Sequence, residues 1–257
     1  PMTENLNKYW INCDIKNADK IRSHFLAFKP TSVIHLAAKA NLNGKTIEDF
    51  PDNTKGTKNI VKLISQTFSV NKFIHTSTQY VCKPGQYPNS DTDFNPYTAY
   101  GASKAESERI VIKENLKCKW IIIRPTNIWG PWHPNFPNEL WKYLSKGYYF
   151  HPGREPIIKH YGFVVNAVTQ IVHLLNFIDK CIDSKVYYIT DPPIDSSEWM
   201  NAFSISLRGK PITRIPRLLW KTLGMSGDIF NLFGFNSPVS SARYFRLTIN
   251  EKLPFQK

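Results

Sequence analysis

A tyrosine and a lysine stand four residues apart in segment 95–104, which reads NPYTAYGASK. Pro96 is a helix-start signal, and a helix through this segment would place Tyr100 and Lys104 on one face, one turn apart. A free phenol has a pKa of about 10 and is therefore a poor base at neutral pH. A neighbouring ammonium favours the phenolate, so we expect Lys104 to lower the pKa of Tyr100. Such a phenol could take a hydroxyl proton as a hydride leaves.

Hydroxyl side chains follow a strand-like run in the segment 75–79, which reads HTSTQ. At the carboxyl end of a strand in a parallel sheet, these donors and acceptors would lie where ligands bind. A polar turn with local side-chain-to-backbone bonds is an equally good explanation of the segment taken alone. Together with Tyr100, however, Thr78 could hold a substrate oxygen. Tyr97 is a poor rival to Tyr100, because Gly101 stands four residues after it.

Strands and helices alternate around these residues. Short apolar runs predict strands at Tyr9–Ile15, Ser32–Ala38, Lys72–Ser77, Trp120–Pro125 and Val186–Thr190. Helical periodicity predicts helices at Asn17–Phe28, Asn53–Phe68 and Tyr100–Asn115. The alternation indicates an α/β fold, a doubly wound parallel sheet with helices on both faces.

The pattern loosens after about Trp129, where Pro, Trp, Tyr and Asn become common. Segments 198–207 and 218–224 predict helices of a smaller, mostly helical lobe, while helix 163–179 and strand Val186–Thr190 return to the main sheet. We therefore expect a sheet domain of residues 1–128 plus 157–191. Residues 129–156 plus 192–257 would form the second lobe.

The chain is strongly basic, with a formal net charge of +13 over 257 residues. This excess favours an anionic partner, such as a phosphate-bearing small molecule, a nucleic acid or an acidic membrane. The Lys and Arg residues are spread along the chain, which favours a solvated surface and argues against a nucleic-acid partner. The segment Leu207–Phe235 is basic and amphipathic in places. It could lie on an acidic membrane, but packing on its own domain is the more common role of such a helix.

The cysteine pattern favours a reduced, cytoplasmic protein with free thiols. Cys13, Cys82, Cys118 and Cys181 form no C-x-x-C pair, and no His cluster has metal-ligand spacing, so no metal is expected. The longest apolar stretches, such as Ile171–Ile178, are too short to span a bilayer. The first ten residues lack the apolar region of a signal peptide.

The order of the motifs is more specific than any one of them, since about one Tyr-x-x-x-Lys is expected by chance. His-Leu-Ala-Ala at 35–38 is followed by Thr-Ser-Thr at 76–78, the Tyr100/Lys104 pair and RPTNIWGP at 124–131. This series resembles the extended short-chain dehydrogenase/reductase superfamily, in particular its NAD-dependent nucleotide-sugar epimerase/dehydratase branch. The resemblance implies a Rossmann-like domain binding NAD, with NADP not excluded, and a lobe binding a nucleotide sugar. It also implies a possible homodimer through helices Asn53–Phe68 and Tyr100–Asn115.

The resemblance also implies roles for individual residues. Catalysis would fall to Thr78, Tyr100 and Lys104. Cofactor contacts would come from Asp14, Ile15, Leu36, Ala37, Ala38, Asn53, Thr76, Ser77, Tyr100, Lys104 and Pro125. Substrate contacts would come from Thr78, Gln79 and Asn127. Asn53 would equally suit an ordinary helix N-cap.

Two departures from the family pattern matter. The Gly-rich loop G-x-x-G-x-x-G is absent from this sequence, and both ends look cut; we expect a missing strand–helix unit of roughly 30 residues before Pro1. Gln79 and Tyr80 replace the Asp-Glu pair of the family's 4,6-dehydratases, which disfavours dehydration. Epimerisation remains, with one-way oxidation or reduction of an apolar or sterol-like alcohol as the alternative. A non-enzymatic protein of the membrane surface is the third hypothesis.

We predict that these 257 residues alone bind NAD weakly or not at all. The reason is that a Gly-rich loop normally holds the pyrophosphate at a helix N-terminus. Isothermal titration calorimetry of the chain with NAD checks this, and tight binding would refute it.

Overall fold

The computed structural model describes residues 9–41, 44–86, 88–133, 140–178, 184–235, 237 and 239–253. The strands are β1 (Ser32–His35), β2 (Lys72–Thr76), β3 (Lys119–Pro125), β4 (Asn127–Trp129), β5 (Phe150–Pro152), β6 (Ile158–Lys159), β7 (Tyr161–Phe163), β8 (Lys185–Ile189), β9 (Ile194–Asp195) and β10 (Thr213–Ile215). The α-helices are α1 (Ala18–Phe28), α2 (Thr57–Ser65), α3 (Ala99–Lys113), α4 (Lys142–Ser145), α5 (Val164–Phe177), α6 (Ser196–Arg208), α7 (Arg217–Leu232) and α8 (Ser241–Thr248).

The chain divides into two compact units. The first comprises Pro1–Lys83, Pro88–Arg124 and Ile171–Tyr188, and the second Pro84–Tyr87, Pro125–Gln170 and Ile189–Lys257. The boundaries differ from those expected from sequence, because residues 84–87, 125–128, 157–170 and 189–191 join the second unit. Within residues 157–170, β6 and β7 pair with β9 and β4, so their hydrogen bonds tie them to that unit. Cys181 and the end of the expected helix 163–179 lie outside the described residues.

A four-stranded sheet in the order β1-β2-β3-β8 forms the centre of the first unit. β2 pairs in parallel with both β1 and β3, which confirms the predicted parallel α/β architecture. Phe73, Ile74 and the run Ile121–Ile123 are fully buried, as expected for strands covered on both faces. The parallel register aligns His35 with His75 and Thr76 with Ile123. The carboxyl ends of the strands therefore meet at one edge of the sheet.

Segment 9–15 is not the buried strand that its apolar composition predicts. Its residues have no strand assignment, and the side chains of Tyr9, Trp10 and Ile11 are exposed. A strand needs a hydrogen-bonded neighbour, and within the described residues none pairs with this segment. β1 is also shorter than expected, ending at His35, and it lies at an edge of the described sheet.

Helices α1, α2 and α3 begin close to the predicted positions, each with a local cause. Asn17 caps α1 by accepting the N–H of Lys20, although Phe28 at its other end is exposed. The predicted helix Asn53–Phe68 starts as a π-helical turn, Asp52–Gly56, before α2 continues to Ser65. Thr98 caps α3 by accepting the N–H of Gly101 at 3.0 Å.

A buried ion pair joins α3 to β3. Arg124 Nε and Nη2 donate to the two carboxylate oxygens of Glu108 at 2.9 and 2.7 Å. The side chains are 1% and 0% exposed. Nη2 also donates to the Asp91 carbonyl at 2.6 Å, and Nη1 to the Tyr188 hydroxyl at 3.2 Å. This bidentate geometry fixes the position of the helix on the sheet.

The second unit combines helices with three pairs of short strands. β4 pairs with β7 and β5 with β10, both in parallel, while β6 and β9 are antiparallel. Its predicted helices 198–207 and 218–224 are present but longer, as α6 and α7. An aromatic cluster forms its core, with members Trp129, Trp141, Tyr161, Trp199 and Phe203. Among the described residues, no helix is long and apolar enough to cross a membrane.

We predict that Glu108→Gln destabilises the first unit far more than Glu106→Gln on the same helix. The first change leaves the buried Arg124 without its counter-charge, which costs about 3–5 kcal/mol. The second breaks an exposed pair with Arg109, whose side chains are 52% and 43% exposed, and costs less than about 1 kcal/mol.

Urea unfolding followed by circular dichroism measures both free energies of unfolding. Equal, small losses for the two variants would contradict a positioning role for the buried pair.

Candidate active site

Thr78 lies just beyond β2, at the edge of the sheet where the strand ends meet. It is buried and begins a short 3-10 helix, Gln79–Val81. Its Oγ1 accepts the N–H of Tyr80 at 3.3 Å, so the side chain is held by its own turn. Gln79 is buried in the same turn. Segment 75–79 therefore does contain a polar turn with a side-chain-to-backbone bond, one of the two explanations that its sequence allows.

Tyr100 stands in the first turn of α3, close to Thr78. The Thr78 side chain hydrogen-bonds the Tyr100 phenol, and the phenol ring lies beside the ring of Phe50, with centroids 6.0 Å apart. Gly101 permits the start of α3 to pack closely on the turn at Tyr80, because a Cβ at position 101 would overlap the backbone carbonyl of Tyr80. The structure thus brings together two of the three predicted catalytic side chains.

The expected acidification of the Tyr100 phenol is not found. Burial raises the pKa of Tyr100 above its ordinary value, and the hydrogen bond from Thr78 opposes this only in part. The prediction of a lowered pKa for Tyr100 is therefore wrong, since spacing on a helix carries no information about desolvation.

Lys104 is buried one turn after Tyr100, at 2% exposure. Burial lowers the pKa of its ammonium from 10.5 to about 8, while the nearby carboxylate of Glu108 raises it. Its charge in turn acts on His35 and His75, at the ends of β1 and β2. The ammonium therefore lies in a buried polar cluster formed by the sheet and by its own helix.

Two buried histidines complete this cluster. His35 Nε2 lies 3.2 Å from Thr57 Oγ1, and His75 Nε2 lies 2.9 Å from Ser107 Oγ. Their ring centroids are 5.4 Å apart. Burial and then the charge of Lys104 lower both pKa values, that of His35 to about 4, so both imidazoles are neutral at pH 7.

Sequence reasoning assigned no role to Glu108, Arg124 or His75. A signal for Glu108 was available, because it stands four residues after Lys104 and so continues the helical face of Tyr100 and Lys104. No comparable spacing links Arg124 or His75 to that face. Their contacts arise from pairing between strands distant in the sequence.

Asn53 connects the segment after β1 to α3. Its Oδ1 accepts the N–H of Lys39 at 2.8 Å, and its Nδ2 donates to the Lys39 carbonyl and to Ser103 Oγ, at 3.0 and 2.9 Å. Ser103 Oγ donates to the Tyr100 carbonyl at 2.7 Å. The role of an N-cap is therefore wrong: Asn53 is fully buried inside the turn Asp52–Gly56, and its amide holds the start of α3.

Several polar atoms at the strand ends are buried without a partner. Among the described residues, Thr76 Oγ1, Ser77 Oγ and His75 Nδ1 make no hydrogen bond. The neighbouring residues Leu36, Ala37 and Ala38 are exposed after β1. Unsatisfied hydroxyls beside an open strand end fit a polar ligand that lies along the edge of the sheet, as a nicotinamide–ribose moiety would.

Asp14 and Ile15 occupy a loop of the first unit. Asp14 is exposed and accepts the N–H of Lys16 at 2.9 Å, which lowers its pKa. Lys16 Nζ also pairs with Asp52 at 2.8 Å, beside Asn53 in sequence. The Ile15 carbonyl accepts from Asn59 Nδ2 at 3.0 Å. These bonds anchor the loop to the turn that carries Asn53.

Pro125 and Asn127 belong to the second unit. Pro125 ends β3, and Asn127 begins β4, where it pairs with Tyr161 of β7. Asn127 Nδ2 donates to the His160 carbonyl at 3.4 Å, a long bond. The substrate and cofactor contacts expected of these two residues stay predictions.

Potential metal ligands are dispersed. In the described part of the chain, no three His, Cys, Asp or Glu side chains come together as a metal site would require. Cys13, Cys82 and Cys118 form no disulfide within the described residues.

This chain is similar in sequence and in fold to several known proteins. A 2-alkyl-3-oxoalkanoate reductase of Shewanella oneidensis is 27% identical over 75% of this chain and 54% of its own length. The UDP-glucose 4-epimerase of Vibrio cholerae is 27% identical over 79% of this chain and 67% of its own. In the solved structure of a UDP-glucose 4-epimerase from Thermotoga maritima, the fold matches with a TM-score of 0.64 at 18% identity, over 84% of this chain and 74% of that chain.

The chain spans about half the length of the first curated relatives that it matches. The family model "NAD dependent epimerase/dehydratase family" matches residues 2–187, which include every predicted site residue of both units. The chain therefore belongs to the NAD-dependent epimerase/dehydratase family.

Proposed function

We propose that this chain forms part of a nucleotide-sugar epimerase that uses NAD and acts by transient oxidation of a sugar hydroxyl. The observation that carries the proposal is the contact of the Thr78 hydroxyl with the Tyr100 phenol, one helical turn from the buried ammonium of Lys104. The similarity to the UDP-glucose 4-epimerase of Vibrio cholerae supports a nucleotide sugar as substrate.

Tyr100 would accept the proton of the sugar hydroxyl as the hydride leaves, and would return that proton when the hydride comes back. Burial raises the pKa of the phenol, so the phenol would first have to release its own proton to solvent, which the neighbouring ammonium of Lys104 would favour. The Thr78 hydroxyl, fixed by the Tyr80 N–H, would hold the substrate oxygen within reach of the phenol. When bound, the nicotinamide dinucleotide supplies a hydride acceptor that also returns the hydride.

Lys104, Ser77 and Thr76 would hold the ribose and nicotinamide end of the cofactor. Lys104 is a buried donor beside Tyr100, and the two hydroxyls lack partners in the described structure. Ligand oxygens that accept from the ammonium would replace part of its lost hydration and raise its pKa again. A charged Lys104 would then favour the phenolate, as the resemblance implies. Asn53 would act indirectly, by holding the segment after β1 and the start of α3.

A one-way reductase or dehydrogenase of an apolar alcohol is the second candidate. The similarity to the 2-alkyl-3-oxoalkanoate reductase of Shewanella oneidensis favours it. Both candidates use the same proton-handling residues, so they differ in the fate of the hydride. An epimerase recycles the hydride within each turnover, whereas a dehydrogenase changes the amount of reduced cofactor in solution.

Three further features are proposals of the same kind. NADP is an alternative to NAD, because the residue that would meet the 2′-phosphate is not assigned in this sequence. A homodimer through α2 and α3 follows from the family resemblance. A reduced, cytoplasmic setting is proposed from the cysteine pattern, and Cys13, Cys82 and Cys118 form no disulfide within the described residues.

We predict that Tyr100→Phe lowers turnover by about 10²–10⁴-fold, because it removes the proton-transfer group and leaves the ring. Tyr97→Phe is the matched control. It stands three residues earlier, before α3 begins, and loses the same hydroxyl, and we expect it to keep near-normal activity. The assay mixes the full-length protein with UDP-sugars and NAD, then resolves the sugars chromatographically and records NADH absorbance.

Interconversion of sugars without net NADH supports the epimerase, and stoichiometric NADH supports the dehydrogenase. Full activity of Tyr100→Phe, or equal losses in the two variants, would remove the basis of both candidates.

We predict that Lys104→Met stabilises the fold at pH 7 by up to about 3 kcal/mol, because a group with a depressed pKa is costly to bury in its charged form. The unfolded chain holds this proton up to about pH 10.5, while the folded chain releases it near pH 8. Unfolding thus takes up a proton between these values, and wild-type stability rises with pH across this window.

The Met variant should lack that rise, whereas Lys113→Met, at an exposed position of the same helix, should retain it. Urea unfolding between pH 7 and 11 makes the comparison. The same pH slope in Lys104→Met and the wild type would show that Lys104 is not a buried ammonium.

A further inference from the structure

Helix α7 (Arg217–Leu232) is packed along one side of its surface. Trp220, Gly224 and Gly227 are its buried residues. A Cβ at Gly224 or Gly227 would press against the backbone at Ser240 and Val239, so the two glycines let α7 lie close to the start of α8. Trp220 Nε1 donates to the Phe150 carbonyl at 2.8 Å. These contacts fix which face of the helix points inwards.

The opposite face is apolar and exposed. At 3.6 residues per turn, Leu218, Met225, Ile229 and Leu232 form a stripe roughly 110–170° around the helix from the mean direction of Trp220, Gly224 and Gly227. Leu218 is 74% and Leu232 86% exposed, and more than half of the Met225 and Ile229 surfaces is also exposed. The outward face of α7 therefore carries hydrophobic side chains, whereas a surface helix normally presents polar residues outwards.

The apolar surface continues beyond the stripe and past the end of the helix. Leu219, Leu223 and Phe230 are also exposed, on a side of the helix that Thr222 and Ser226 separate from the stripe. Phe233 and Phe235 follow the helix at 75% and 65% exposure. We call this set, with the stripe, the α7 surface. Large exposed apolar surfaces mark interaction sites.

Cationic residues accompany this surface. Lys221 is exposed on α7. It stands three residues after Leu218 and four residues before Met225, so it is a neighbour of both on the helix surface. Segment 207–235 contains Arg208, Lys210, Arg214, Arg217 and Lys221 against a single acidic residue, Asp228. Of these cations, Arg217 pairs with Glu155 at 3.0 Å, and Arg208 and Arg214 donate to backbone carbonyls and serine hydroxyls, so Lys221 is the cation placed directly beside the stripe. Helix α5 offers a contrast: Val165, Val168 and Val172 are exposed on it, but its sequence has no Lys or Arg.

We propose that the α7 surface docks on a lipid bilayer that contains anionic phospholipids. Its charge and its phenyl rings suit the interface, where apolar side chains enter the acyl boundary and Lys and Arg meet lipid phosphates. The helix has 16 residues and is about 24 Å long, too short to span the hydrocarbon core, so it would lie in the plane of the interface. This docking does not depend on the activity proposed above.

Vesicle co-sedimentation of the whole chain tests the proposal. We expect the chain to pellet with vesicles of phosphatidylcholine and phosphatidylglycerol, and to bind vesicles of phosphatidylcholine alone at least about fivefold more weakly, because each cation near an anionic surface strengthens binding by about that factor. Added NaCl should weaken binding to the anionic vesicles.

Matched variants locate the surface that binds. Leu218→Ser/Ile229→Ser should lower the partition coefficient by about tenfold or more, because two large side chains no longer leave water. Val168→Ser/Val172→Ser removes two exposed valines from the uncharged helix α5 and should leave the partition coefficient unchanged. Circular dichroism should show the same fold for both, since all four positions are exposed.

A tryptophan at the docking face gives a second readout. Met225→Trp should show a blue shift of fluorescence with anionic vesicles and quenching by brominated lipid chains. No pelleting with anionic vesicles, or equal pelleting of Leu218→Ser/Ile229→Ser and the wild type, would overturn the proposal. So would a lipid-free dimer in analytical ultracentrifugation that the same double variant dissociates, because the α7 surface would then bind a second copy.

Discussion

The buried pair of Arg124 and Glu108 determines where helix α3 lies on the sheet. Both side chains are out of contact with water, and two short hydrogen bonds join them across the boundary between the helix and β3. Glu108 is the third residue of a face that also carries Tyr100 and Lys104. The ion pair that holds α3 in place therefore also determines how deeply Lys104 is buried. It brings the phenol of Tyr100 to the end of β2 as well. A shift of the helix by one turn would break all of these contacts together.

Much of this arrangement could be predicted from the sequence. β2, β3 and β8 end within one residue of the predicted positions, because continuous apolar runs between turn residues leave few alternatives. The prediction that Tyr100 and Thr78 meet needed only the helical period and the rule that parallel strands end at one edge of a sheet. Properties that depend on partners distant in the sequence were not predictable. Segment 9–15 has a strand-like composition but no neighbour among the described strands, and the pKa of Tyr100 follows from burial, which spacing does not report.

The environment of Lys104 shows how stability and chemistry oppose each other at this site. Its ammonium is surrounded by two neutral imidazoles and a carboxylate that is already bound to Arg124. A methionine would fill the same space without the cost of desolvating a charge. The fold thus holds a cation in a place where packing alone would favour an apolar side chain, which is a common property of sites that do chemistry.

The position of β1 has a consequence for the behaviour of the chain in concentrated solution. Within the described residues, one edge of this strand has no hydrogen-bonding neighbour, and Ile34 and Leu36 are exposed at and just after it. Backbone N–H and C=O groups at a strand edge, next to exposed hydrophobic side chains, can pair with a strand of another polypeptide. This edge therefore offers a route by which molecules could join edge to edge, and the large excess of positive charge is one force that keeps them apart.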